Sequence, residues 1–227
     1  MTLLKTLARL GFYGLTLLTF LASPVLAEQP SLSAVPGKLT WKNTPVAWHV
    51  SGGKELSIRT GAKTDWFNDP FGGRTLNSAP VLLFQPAADY VLTAKVRIGF
   101  KAKWDAGALM VWADDKHWAK LLLEMSAEGH PNIVSVVTRG LSDDCNSVLI
   151  PADSVYLRLA KSGQAYIFYS STDGNTWHII RSFTLETNGS KGQVGFLAQS
   201  PDGSGTDVAF SEIEYTPKKT ANIYTGK

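Results

Sequence analysis

Cysteine is almost absent: Cys145 stands alone in 227 residues. No disulfide can form within the chain, so its stability must come from a packed core. The thiol lies in SDDCNS, where two carboxylates oppose formation of the reactive thiolate. Charge is also scarce, at 18% of residues. No Lys/Arg run is present, which removes the electrostatic footprint of a nucleic-acid or anionic-membrane partner. No stretch sustains a 3.6-residue apolar period over a helical length. His49, His117, His130 and His178 share no metal-ligand spacing. Neither a Ser-His-Asp or Cys-His signature nor a Gly-rich phosphate loop opening a helix is present.

What is present begins with a targeting segment. Lys5 and Arg9 form a positive n-region, Gly11 to Leu21 an apolar run of about a dozen residues, and Val25-Leu26-Ala27 a small-residue cleavage site. The run is too short to span a bilayer. Residues 1–27 are therefore expected to be a cleaved signal peptide, with no membrane insertion afterwards and a periplasmic or secreted destination. Without Lys5 and Arg9, 20 basic residues face 19 acidic ones, a net charge of +1. The expected organisation is a lead-in over 28–37, a single domain over 38–216 and a polar tail over 217–227. Lead-in and tail are expected to be loosely held.

The domain reads as β throughout. In YVLTAKVRIGF, Leu92, Ala94, Val96, Ile98 and Phe100 alternate with Thr93, Lys95 and Arg97, the pattern of a half-buried strand. Ten further runs follow, at 55–59, 81–84, 106–113, 118–125, 133–138, 155–160, 165–171, 176–183, 193–198 and 207–215. About eleven strands with Gly, Pro, Asn, Asp and Ser between them predict a two-sheet antiparallel sandwich or a barrel. Asp173-Gly174 predicts a hairpin, with Trp177 packed on the sandwich.

Taken in order, the motifs TDWFNDPFGG…NSAPVLLF, DYVLTAKV, WDAGALMVWADDKHWAKLLLEMS, VVTRGLSDD, YLRLAKSGQAYIFYSSTDGNTW and VGFLAQSPDGSGTDVAFSEIEY resemble the regulation-of-enolase family. This is a group of concanavalin-like jelly-roll domains whose biochemistry is largely unassigned. The resemblance spans nearly the whole chain after the leader. It implies an all-β fold of two stacked antiparallel sheets with one concave face, and by fold analogy a saccharide ligand. It brings no established catalytic residues.

Alternation selects the candidate binding residues. In HWAKLLLEM, Trp118, Lys120, Leu122 and Glu124 share one face and Ala119, Leu121, Leu123 and Met125 the other. The second set is wholly apolar and is expected in the core. The first mixes a ring, an ammonium and a carboxylate, as a ligand-facing surface would. A hairpin through Asp114-Asp115-Lys116 would bring Trp112 beside Trp118, where flat rings could stack on a sugar unless they are themselves core. Arg139, with a fork suited to vicinal hydroxyls, and Asp143 join the expected site, although the two could equally pair and tie the loop down. Trp66 and Phe67 cannot both face one way in an extended chain. Phe67 is expected inside and Trp66 at the rim.

For catalysis, glycoside hydrolysis requires two carboxyls about 5 to 5.5 Å apart, or wider for inversion. The concanavalin-like endoglucanases supply them from a Glu-x-Asp-x-Glu run. This chain has only Glu212-Ile213-Glu214, without the central Asp, in what reads as a final edge strand. Glu124, Asp65 and Asp69 are the remaining acid/base candidates. The expected function is an exported lectin-like domain binding an oligo- or polysaccharide on its concave face. A glycoside hydrolase or lyase and an envelope protein-interaction domain are the alternatives. No cofactor is expected, and a structural Ca²⁺ would need five or more converging oxygens, which sequence does not reveal.

Overall fold

The computed structural model describes residues 29–186 and 192–226. The expected signal peptide and its cleavage site lie outside them. Among the described residues there is no helix, and sixteen strands carry the fold.

Seven strands form sheet A, in the order β1 (Thr40–Lys42), β6 (Val81–Phe84), β15 (Gln193–Gln199), β8 (Ala106–Asp114), β9 (His117–Met125), β10 (Pro131–Arg139) and β11 (Leu141–Leu149). Seven more form sheet B, in the order β14 (His178–Thr184), β13 (Ala165–Ser171), β12 (Ser154–Ser162), β7 (Tyr90–Ile98), β16 (Asp207–Thr216), β3 (Glu55–Arg59) and β2 (Ala47–Ser51). A two-stranded hairpin, β4 (Trp66–Asn68) with β5 (Thr75–Asn77), stands apart. All pairings are antiparallel, which gives the jelly-roll sandwich expected from the motifs.

Period-two alternation decides which residues fill the space between the sheets. Leu92, Ala94, Val96 and Ile98 of β7 meet Leu109 and Val111 of β8 and Ala119, Leu121 and Leu123 of β9. Each large apolar side chain removed from water here contributes roughly 1.5–3 kcal/mol. Gly195 is required where β15 passes β6, because a Cβ there would come within 1.8 Å of the Leu82 carbonyl oxygen.

Three expectations are corrected. The lead-in is not loose: Leu32 and Val35 are buried in the main core. The tail is docked on the outer face of sheet B, where Tyr169 donates its hydroxyl proton to the Ile223 carbonyl at 2.7 Å and Arg158 donates to that of Gly226. Beneath it Tyr169 and Trp177 form a small buried cluster with Ala160 and Ile167. The Glu212-Ile213-Glu214 strand is not an edge, since β16 lies between β7 and β3. A bulge between Ser211 and Glu214 breaks its alternation, Ile213 enters the core, and the Glu212 carboxylate accepts from the Tyr156 hydroxyl.

Candidate functional site

The outer face of sheet A carries a second buried layer. Ala106, Ala108 and Met110 of β8, Trp118 and Leu122 of β9, and Val134 and Val136 of β10 pack there with Trp66 and Ala79. They are covered because the segment carrying β4 and β5 folds back across the sheet. Thr64 bridges Ser200, the Ser78 and Ala79 amides donate to the Asp65 carbonyl, and the Trp66 indole N–H donates to the Ala79 carbonyl at 2.8 Å.

Within this apolar layer lies a polar well. Lys120 is only 2% exposed, and an ammonium so far from water must spend all three protons on acceptors. It does: Nζ reaches the Trp66 carbonyl and Gln199 Oε1, both at 2.7 Å, and Asp65 Oδ1 at 3.3 Å. Asp65 also accepts the Trp66 amide at 2.7 Å, so that the hairpin and the sheet are clasped through one lysine.

Glu124 lies one turn of the pleat beyond Leu122 on the same face and is 7% exposed. Burial is the largest influence on its carboxyl and pushes it up to about 8; the Lys120 charge opposes the rise, and Asp65 and Asp144 add to it. At neutral pH Glu124 is therefore mostly a neutral acid. The hydrogen bond it receives, from Gln199 Nε2, is long at 3.4 Å. Directly opposite in the ladder is Asn132, whose Nδ2 donates to Asn146 Oδ1 at 3.1 Å while its Oδ1 is buried without a partner. Asp144 pairs with Val136 and so faces the same way from β11. It stands at the exposed rim, but partial loss of water chiefly pushes its carboxyl up, with Lys120 opposing and Asp65 and Asp143 reinforcing.

Three more buried atoms on or beside this face lack partners: the Trp112 and Trp118 indole nitrogens and Asn68 Oδ1. Native interiors leave few such atoms unpaired, and a cluster of them marks a place for water or a polar ligand.

Several expected site residues are placed differently from the sequence reading. Trp66 is the buried member of its pair, at 0% exposure, and Phe67 is half-buried. Alternation in a hairpin lying flat on sheet A turns Trp66 and Asn68 toward the sheet, and the indole N–H finds an acceptor only on that side. Trp118 is equally buried and meets Trp66 edge to face at 5.9 Å. Neither presents a free ring face to a sugar. Trp112, opposite Trp118 in the ladder, is half-buried, with the Lys42 ammonium 4.6 Å from its ring centre. Arg139 has the parity of the inner face and donates to the Thr184 carbonyl. Asp143 likewise turns away from the well and binds Arg181 at 2.9 Å; it does not pair with Arg139. Asp69 holds the β4–β5 turn by accepting the Phe71 and Gly73 amides. The structure thus brings together Asp65, Lys120 and Glu124, with Trp112 at the margin.

Gln199, Asn132, Asp144 and Asn146 were missed. Asn132 shares a parity with Val134 and Val136 and was legible from alternation alone. Asp144 and Asn146 lie in a strand so polar that it read as a loop.

Two clefts, of about 700 and 800 Å³, lie elsewhere. The first opens at one end of the sandwich beside Tyr90, Lys161 and Tyr166, the second along β2 beside Trp48 and His49. Neither lining includes Asn132, Asn68, Trp112 or Trp118, whose buried polar atoms are unpaired. Among the described residues no group of three or more His, Cys, Asp or Glu side chains is arranged to hold a metal.

The profile of a family described as "Protein of unknown function (DUF1349)" matches residues 41–218. A Saccharomyces cerevisiae protein named Regulation of enolase protein 1 is 30% identical over 178 residues, covering 78% of this chain and 88% of that protein. A solved structure of a functionally unknown Saccharomyces cerevisiae protein superimposes with a TM-score of 0.74 at 29% identity, over 83% of this chain and 99% of that one. A Bacteroides ovatus protein described as "Xyloglucan PUL GH43B" superimposes with a TM-score of 0.65 at 20% identity, over 87% of this chain and 41% of that one. At that identity the likeness shows the fold alone.

Proposed function

We propose that this chain, which belongs to the DUF1349 family, is an exported saccharide-binding jelly-roll domain whose ligand docks at the polar well of sheet A. One observation carries the reading: Asn132 Oδ1 is buried and unpaired directly across the ladder from a Glu124 carboxyl with a single long bond, and Asn68 Oδ1 and the indole nitrogens of Trp112 and Trp118 are unpaired farther along the same face. Hydroxyls donate and accept at once, so a sugar can meet both kinds of group. Asn132 is only 5% exposed, so a protruding hydroxyl or hydroxymethyl enters while the ring rests on the rim formed by Asp144 and Asn146. Export rests on the leader sequence, and the sandwich that accompanies a GH43 protein adds the fold context without naming a sugar.

Screening on a glycan array followed by calorimetry tests the reading. An oligosaccharide is expected to bind, with Asn132→Ala and Asp144→Asn each weakening it by about tenfold, the effect of one hydrogen bond to a charged or buried group. No binding by any oligo- or polysaccharide at millimolar concentration would overturn it.

A hydrolytic reading is favoured by one feature, a Glu124 carboxyl that keeps its proton at neutral pH, as a general acid must. Asp144 is then the free carboxyl on the same face, because Asp65 is engaged by Lys120. Release of reducing ends from a glycan that binds, abolished in Glu124→Gln, would establish turnover; binding without release excludes it for that glycan.

A further inference from the structure

The well has an excess of acceptors at one end. Around Lys120 stand three carboxyls, of Asp65, Glu124 and Asp144. Among the described residues only Asp65 forms an ion pair with the lysine. Glu124 receives one long bond, and no described residue hydrogen-bonds the Asp144 side chain. Asn132, directly across the ladder from Glu124, is more than nine-tenths buried and holds its Oδ1 without a donor. Its Nδ2 is committed to Asn146. The unpaired indole donors, by contrast, lie at the other end of the same strands, where Trp112 pairs with Trp118 and the Lys42 ammonium lies over the Trp112 ring. The face is polarised along β9, with donors and cations toward Trp118 and acceptors toward Glu124.

We propose that the saccharide bound here is an amino sugar, and that its protonated amine is received at the Glu124–Asn132 end of the well, with Asp144 as a second anion at the rim. This rests on the saccharide reading above and goes further by naming the group that enters. An ammonium offers three donors and no acceptor, which matches an end of the well where the unpaired group, Asn132 Oδ1, is an acceptor and two carboxyls stand beside it. Hydroxyls could satisfy Asn132, but they bring no charge to Asp144 or to an ionised Glu124, and charge-assisted bonds are about twice as strong as neutral ones.

Binding has a proton balance that a neutral sugar does not share. At pH 7 Glu124 enters mostly protonated, held so by burial and by Asp65 and Asp144, with Lys120 opposing. An ammonium beside it favours the carboxylate, so the acid proton leaves for solvent as the ligand's charge replaces it. Gln199 and Asn132, the polar neighbours on β15 and β10, do not titrate.

The experiment is calorimetry of the exported chain with three tetramers of equal length: β-1,4-linked glucosamine, N-acetylglucosamine and glucose. At pH 5.5 and low salt, where the sugar amines and Glu124 both enter protonated, the glucosamine tetramer is expected to bind at least about tenfold more tightly than the other two. Its heat should vary with the ionisation enthalpy of the buffer, reporting release of a proton. Glu124→Gln should abolish the proton release and most of the preference. Asp144→Asn, at an exposed position that the fold does not need, should cut the preference about threefold and remove part of its salt dependence. Equal affinity for the three tetramers would overturn the amine while leaving the saccharide reading intact. Failure of all three, and of every other glycan, removes both.

Discussion

Replacing Glu124 by Gln should change how stability depends on pH, in a direction and size set by the well. The carboxyl is held up to about 8 in the folded chain, against an ordinary value of 4.5. Between those values the folded state keeps a proton that the unfolded state has released, so stability falls as pH rises. The stability is fully present below about 4.5, declines through the neutral range and levels off above about 8. At about 1.4 kcal/mol per tenfold change, the decline between pH 5 and pH 9 amounts to about 4 kcal/mol. Glutamine has nearly the same shape and no proton to lose, so Glu124→Gln should escape that decline. Asp144, whose carboxyl is also raised, contributes to both proteins, and its coupling to Glu124 is lost in the variant as part of the same effect. Urea unfolding of the two proteins at pH 5, 7 and 9 measures the effect. They should have similar stability at pH 5, and the variant should be more stable by several kcal/mol at pH 9. Parallel profiles would mean that Glu124 is ionised in the folded chain and that the well is wetter than its burial implies.

Three other substitutions probe how the site is built. Trp66→Ala should cost about 3–5 kcal/mol, because it empties a fully buried site, whereas Phe67→Ala should cost clearly less; thermal melts of the two variants decide the order. Gly195→Ala should cost about 3 kcal/mol or prevent folding, since the methyl would press into the Leu82 carbonyl, and soluble yield with denaturant titration reports it. Ending the chain after Pro217 should uncover Trp177 and Tyr169. A red shift of tryptophan emission, absent when Trp177 is also replaced by Phe, checks that the tail is docked.

Much of the sandwich was legible because a strand buried on one face writes its period into the sequence. β3, β6 and β13 match their expected bounds, and the HWAKLLLEM strand divides its faces as alternation requires. β11 was lost for the opposite reason: LSDDCNSVL is an edge strand exposed along most of its length, and nothing in its composition distinguishes it from a loop. That loss misdirected the site, because reading a loop at Asp143 and Asp144 left no parity by which to prefer Asp144. The inversion of Trp66 and Phe67 has another cause. Sequence shows that two adjacent residues face opposite ways, but which one turns inward depends on where the hairpin lands. Tryptophan rings that looked like a platform became a wall once residues 64 to 80 folded over the sheet. Gln199 could be found only in three dimensions, since its role is to accept from a lysine 79 residues away.

The central claim is a saccharide site on the outer face of sheet A. A crystal of the chain soaked with an oligosaccharide that binds in solution tests it most directly. The account predicts sugar density over β9, β10 and β11, with polar contacts to Glu124, Asn132 and Asp144. Sugar seated in either of the two large clefts or on the outer face of sheet B, with the well unchanged, would contradict it.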